Sequence, residues 1–105
     1  LIKDDEINYA VVESEKTALI MSLELPEYKW LSVNGKGGFK ESMLKSLKEK
    51  KIVAYPDKGC YKDWNEIASK LNEIGYNIHI SSLVENLDIE KGADIADVFL
   101  EHNLK

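Results

Sequence analysis

Four short apolar runs, each followed by enough chain for a helix, are the feature that most constrains this sequence. They are Tyr9-Ala10-Val11-Val12, Lys29-Trp30-Leu31-Ser32-Val33, Lys51-Ile52-Val53-Ala54-Tyr55 and Asn77-Ile78-His79-Ile80-Ser81-Ser82-Leu83. Antiparallel strands can be joined by a tight turn, whereas parallel neighbours need a crossover, usually helical. The spacing therefore predicts a β-α-β-α-β-α-β-α chain with a parallel sheet. The first run is apolar throughout, as suits an interior strand covered on both faces. The last alternates and suits an edge. Right-handed crossovers leave few topologies. The order 2-1-3-4 sets the first and third strands side by side, in a three-layer Rossmann-like α/β fold with a four-stranded parallel sheet.

The intervening segments carry helix signals of unequal quality. Ser14 is a candidate N-cap. Ala18, Leu19, Met21 and Leu23 then read as a face packed on the sheet, and Leu25-Pro26 ends the helix. After Asn34-Gly35-Lys36-Gly37-Gly38, a second helix is expected with Phe39, Met43, Leu44 and Leu47 inward and Lys40, Lys45, Lys48 and Lys50 outward. The third has the best pattern, with Trp64, Ile67, Ala68, Leu71 and Ile74 inward and Gly75 as its stop. A charged loop over 84–92 leads to a terminal helix over 93–100, with Ile95, Ala96, Phe99 and Leu100 inward.

At 105 residues the chain fits one small domain, and a hydrophobic fraction of 44% supplies one core. Residues 1–7, with Lys3-Asp4-Asp5-Glu6 after Leu1, read as a linker or the remnant of a preceding region, and 8–105 as the domain. A net charge of -5, from 14 basic and 19 acidic residues, argues against a free-standing non-specific DNA binder. Cys60 has no internal disulfide partner, so the cytoplasm is the expected compartment. No apolar stretch approaches the roughly 18–20 residues of a membrane span, and no membrane partner is expected.

The chemistry gathers at strand ends, the edge of open α/β sheets where ligands bind. Glu13 closes the first strand, and Asp57 follows the third in Pro56-Asp57-Lys58-Gly59. Two carboxylates at adjacent tips can share Mg²⁺, a hard cation that also contacts phosphates. The plainer reading is that both acids favour a neighbouring helix dipole. Gly35, Lys36 and Gly37 could cradle a phosphate, or simply make a tight turn, since the loop matches no nucleotide-binding signature. Asp94 and Asp97 stand one turn apart, with Asp88 in the loop before them. His79 and His102 lack partner constellations, and Cys60 lacks a base for nucleophilic work. Trp30 and Trp64 read as core residues, while Tyr55 and Tyr61 are candidates for base stacking near the acidic tip. Ser14 lacks a nucleophile elbow.

In sequence order, Val11-Val12-Glu13-Ser14-Glu15-Lys16-Thr17-Ala18, Asn34-Gly35-Lys36-Gly37-Gly38, Pro56-Asp57-Lys58-Gly59 and Lys91-Gly92-Ala93-Asp94-Ile95-Ala96-Asp97 resemble a Toprim domain. The likeness spans residues 9–101. It is nearest the Toprim-like domain of primase-type proteins from bacterial mobile elements, especially those of Bacteroides relatives. The resemblance implies Glu13 and Asp57 as catalytic residues and Glu13, Asp57 and Asp94 as Mg²⁺ ligands. Gly35, Lys36 and Gly37 would then serve phosphate binding. It implies phosphoryl transfer in primer synthesis or phosphodiester cleavage, as a nucleotidyl transferase or phosphodiesterase. DNA or RNA would be the partner in the full-length protein. The second Asp of the family's Asp-x-Asp falls at Gly59, a departure that admits a catalytically silent module binding nucleic acid or a partner domain. A receiver-like signalling domain is a third reading, but the acids after the first strand are too few for it.

Overall fold

A computed structural model describes residues 8–102. Eight regular elements follow in order: β1 (Asn8–Val12), α1 (Glu15–Glu24), β2 (Tyr28–Ser32), α2 (Glu41–Leu44), β3 (Lys51–Ala54), α3 (Tyr61–Glu73), β4 (Asn77–Ile80) and α4 (Ile95–His102). The linker expected over 1–7 lies outside the described residues.

The four strands form one parallel sheet in the order β2-β1-β3-β4. Val11 of β1 stands opposite Leu31 on one side and Ala54 on the other, so β1 and β3 are neighbours at the centre. Because side chains alternate along a strand, the sheet feeds two cores. Tyr9, Val11, Ile52, Ala54, Ile78 and Ile80 join Phe39, Leu44, Trp64, Ala68 and Leu71 on the α2/α3 side. Ala10, Val12 and Trp30 join Met21, Val84, Ile95, Val98 and Phe99 on the α1/α4 side. The result is a three-layer α/β arrangement. Both tryptophans are buried: Trp64 stacks on Phe39 with ring centroids 4.3 Å apart, and Trp30 donates from Nε1 to the Leu25 carbonyl at 2.8 Å.

β4 is an edge strand, and its exposed-buried alternation reflects that. His79 lies on its exposed face. The strand ends at Ile80, three residues before the expected end, although Ser81 N–H still reaches the Ala54 carbonyl at 2.8 Å. Its outer edge is covered locally by Asn72. That side-chain amide donates to the Ile78 carbonyl at 2.9 Å and accepts from the Ile78 N–H at 2.8 Å.

Three expectations about the helices need correction. In α1 the expected Ala18 and Met21 pack inward, joined by Thr17 one helical repeat before Met21, whereas Leu19 (66% exposed) and Leu23 (78%) face outward. Residues at 19, 21 and 23 cannot share one face of a 3.6-residue helix. The second helix is not continuous. It breaks into a 3₁₀ turn at Lys36–Gly38, the single turn of α2 and another 3₁₀ turn at Lys45–Leu47. Phe39, Leu44 and Leu47 are buried as expected, but Met43 is exposed. Glycine is required at 38 by the close approach to the preceding backbone, because a Cβ there would lie 1.7 Å from the Val33 carbonyl oxygen. Finally, Ile74 and Leu100 are exposed: Ile74 is the C-cap beyond α3, and in α4 Val98 is buried beside the expected Ile95, Ala96 and Phe99.

α3 is the longest helix, with 13 residues. Gly75, at φ +106°, ends it, and Tyr76 N–H returns to the Leu71 carbonyl at 3.2 Å. No helix among the described residues is long and apolar enough to cross a membrane.

Candidate functional site: an acidic cleft at the ends of β1 and β3

The C-terminal ends of the two central strands bring Glu13 and Asp57 together. Past β1 the chain keeps bonding sideways: Val33 N–H donates to the Val12 carbonyl at 3.0 Å, and Gly35 N–H to the Glu13 carbonyl at 2.7 Å. Tyr55 N–H donates to the Val11 carbonyl at 2.9 Å. The tips are thus held in register, and Asp57 N–H donates to Glu13 Oε2 at 3.2 Å. Burial pushes the Asp57 carboxyl up to about 7; the charges of Glu13 and Asp94, the hydrogen bond to Glu13 and the charge of Asp97 add to the rise. A carboxyl near 7 can give or take a proton at neutral pH.

An open cleft of about 500 Å³ lies against this pair, lined by Glu13, Asp57, Lys58, Gly59, Cys60, Asp63, Lys91 and Gly92. Its far wall is the loop before α4, and Lys58 fastens that loop. The Lys58 ammonium donates to the carbonyls of Glu85 (2.9 Å) and Leu87, while its backbone bonds Gly92 N–H and the Ala93 carbonyl. Gly59 N–H adds a bond to Glu85 Oε1 at 2.8 Å. Lys58 is therefore a strut for the cleft wall, a role that neither its charge nor its position in the sequence announces.

Asp94 stands at the start of α4 and contributes charge to Asp57, but its oxygens are occupied. Oδ1 accepts from Asp97 N–H at 2.8 Å, and Oδ2 accepts from the Thr17 hydroxyl at 2.8 Å. Asp97 Oδ2 in turn accepts from Asp94 N–H at 3.0 Å, a reciprocal cap of the kind that satisfies helix-end amides. Thr17 is itself buried and lies 2.8 Å from the Ser14 hydroxyl, which caps α1 by accepting from Thr17 N–H. Sequence reasoning missed Thr17. The clue available was its place three residues after an N-cap serine.

Among the described residues, no group of three or more His, Cys, Asp and Glu side chains is already disposed to hold a metal ion. Glu13 and Asp57 are together, Asp94 is nearby but engaged, and Asp88 is exposed and absent from the cleft lining. Gly59 adopts φ +102°, a conformation that favours glycine over any side chain. A Cβ at Gly59 would also come within 3.0 Å of Lys91 Cε. The glycine loop divides in function. The Gly35 amide is committed to Glu13, whereas Gly37 lines a separate, mainly apolar notch of about 220 Å³ with Cys60, Asp63, Trp64 and Ile67. Tyr55 turns away from the cleft to pack on Trp30, ring centroids 5.5 Å apart, and Tyr61 packs against the α2/α3 core.

The model of a domain of unknown function, DUF6371, matches residues 1–58, more than half of the chain. The chain belongs to the DUF6371 family. The matched part of this DUF6371 chain runs through β1, β2 and β3 and includes Glu13, the glycine loop, Asp57 and Lys58. No curated protein and no solved structure matches it.

Proposed function

We propose that this domain is Toprim-like and binds phosphate groups through a divalent metal ion, within a primase-related DNA-processing protein. The observation that carries the reading is the meeting of Glu13 and Asp57 at adjacent parallel strand ends, beside an open cleft. Mg²⁺ prefers oxygen ligands, is commonly held by one or two carboxylates and keeps positions for substrate phosphates. Glu13 and Asp57 would bind it directly. Asp94 would join as a third ligand by exchanging one of its present bonds. The bound ion would stabilise charge on a phosphoryl oxygen, and the activity would be nucleotidyl transfer or phosphodiester cleavage. Titration of Mg²⁺ or Mn²⁺ into the wild type, Glu13→Gln and Asp57→Asn tests it. Saturable binding by the wild type, lost in both variants, is expected. Equal and negligible binding by all three rules the metal out.

A second reading has its own support: the engaged oxygens of Asp94 and the left-handed glycine at position 59. Under it the domain is a catalytically silent member that binds nucleic acid or a partner domain with the same edge. Metal binding without turnover of nucleotides or nucleic acid by the full-length protein would favour it.

A further inference from the structure

The acidic cleft and the apolar notch share a wall. Cys60 and Asp63, at the start of α3, line both. On one side of that wall lie Glu13, Asp57, Lys58 and Lys91; on the other lie Gly37, Trp64 and Ile67. A ligand reaching across the wall meets the Glu13 and Asp57 carboxylates and Lys91 at one end and a small apolar recess at the other. Ligand sites commonly pair an apolar recess with a few orienting polar groups. The notch is far smaller than the cleft, so it suits one planar ring system rather than a long chain.

We propose that the notch seats the base of a nucleotide whose phosphates lie in the cleft. This rests on the phosphate-binding reading of the cleft and adds to it the place where the base of a nucleoside phosphate sits. The chemical order of the ligand matches the order of the walls. The base meets Gly37, Trp64 and Ile67, and the sugar meets the exposed Asp63 carboxylate, which accepts from a hydroxyl. The phosphates meet the metal-binding pair and Lys91. Glycine at 37 keeps the recess open. Its φ is not in the left-handed range, and a Cβ there would meet nothing within 4 Å, so the turn itself does not require glycine. A larger residue at 37 is therefore added at the wall of the notch without straining the backbone.

The test is calorimetric titration of the full chain in saturating Mg²⁺ with inorganic triphosphate, a nucleoside triphosphate and a short 5′-phosphorylated oligonucleotide. Burying one ring predicts that at least one nucleoside ligand binds on the order of tenfold more tightly than inorganic triphosphate. Gly37→Leu is expected to erase that advantage while inorganic triphosphate binds as before, which also shows that the variant is folded. Asp63→Ala, which removes the acceptor, is expected to weaken the nucleoside ligands more than inorganic triphosphate, and an equal effect on all three overturns the sugar contact. A tighter mononucleotide identifies a free nucleotide as the occupant, and a tighter oligonucleotide identifies a strand end; either supports the proposal. If inorganic triphosphate binds and the nucleoside ligands gain nothing, the base site is wrong and the cleft reading stands. If none of the three binds, both fall. Unchanged nucleotide affinity in Gly37→Leu overturns the base site alone.

Discussion

Two pairs of acids occupy the same edge of this sheet and are treated in opposite ways. Asp94 and Asp97 cap each other's backbone, and the Thr17 hydroxyl takes an Asp94 oxygen that remains. Glu13 and Asp57 face each other across neighbouring strand ends, and the main-chain N–H of Asp57 is the donor given to Glu13 Oε2. A satisfied carboxylate supports the fold, whereas like charges held together while partly buried are a recurring mark of functional sites. The contrast separates a joint from a site among residues that are equivalent in composition.

Breaking the joint has the largest expected effect. Asp94→Ala removes the cap of α4 and leaves the buried Thr17 hydroxyl with the Ser14 hydroxyl as its remaining partner, a loss of about 2 kcal/mol. Urea denaturation measures it, and a change near zero would mean the joint is decorative. Relieving the strained pair should act in the opposite direction. Asp57→Asn is expected to stabilise the domain at neutral pH by about 1–2 kcal/mol, allowing for the partial exposure of the group. The sign follows from the raised proton affinity of the folded state. The Asp57 contribution is fully present below the ordinary aspartate value of about 4 and is lost as pH rises toward about 7. The wild type should therefore lose stability across that window, and the variant should show a shallower decline. Identical pH profiles of thermal midpoint would refute the assignment.

Metal offers a gentler way to relieve the same pair. If Mg²⁺ is supplied at ten times its dissociation constant, the wild type should gain about 1.4 kcal/mol, and neither Glu13→Gln nor Asp57→Asn should gain. Gain by the variants as well would move the ion elsewhere. The smallest effect is expected at Gly59. Gly59→Asp puts a side chain at φ +102° and against Lys91, at a cost of about 1 kcal/mol. If the added carboxylate reaches the cleft, Mg²⁺ affinity rises despite the lower stability. Weaker metal binding would show that the turn has no room for a third ligand.

The sheet was legible because its signals are local. Apolar runs with helix-length connections fixed the strand number, and the chain pattern favoured the order that places Glu13 beside Asp57. The 3.6-residue repeat through Trp64, Ala68 and Leu71 marked α3. The segment over 39–50 also carried a helical spacing, but it folds as single turns after a glycine held against the Val33 carbonyl. The candidate site was legible only as two acids at strand tips. Thr17 meets Asp94 across 77 positions of sequence, and Lys58 reaches carbonyls nearly thirty residues away. No local window of sequence contains either pair, so neither distant partner could be read there.

The amide of Asn72 has one further consequence. By engaging both the N–H and the C=O of Ile78, it imitates a residue of a missing fifth strand. A peptide or a second domain seeking to extend the sheet by β-augmentation at this rim must first expel that amide. Asn72 thereby protects the rim against unplanned association between chains, the hazard carried by any open sheet edge.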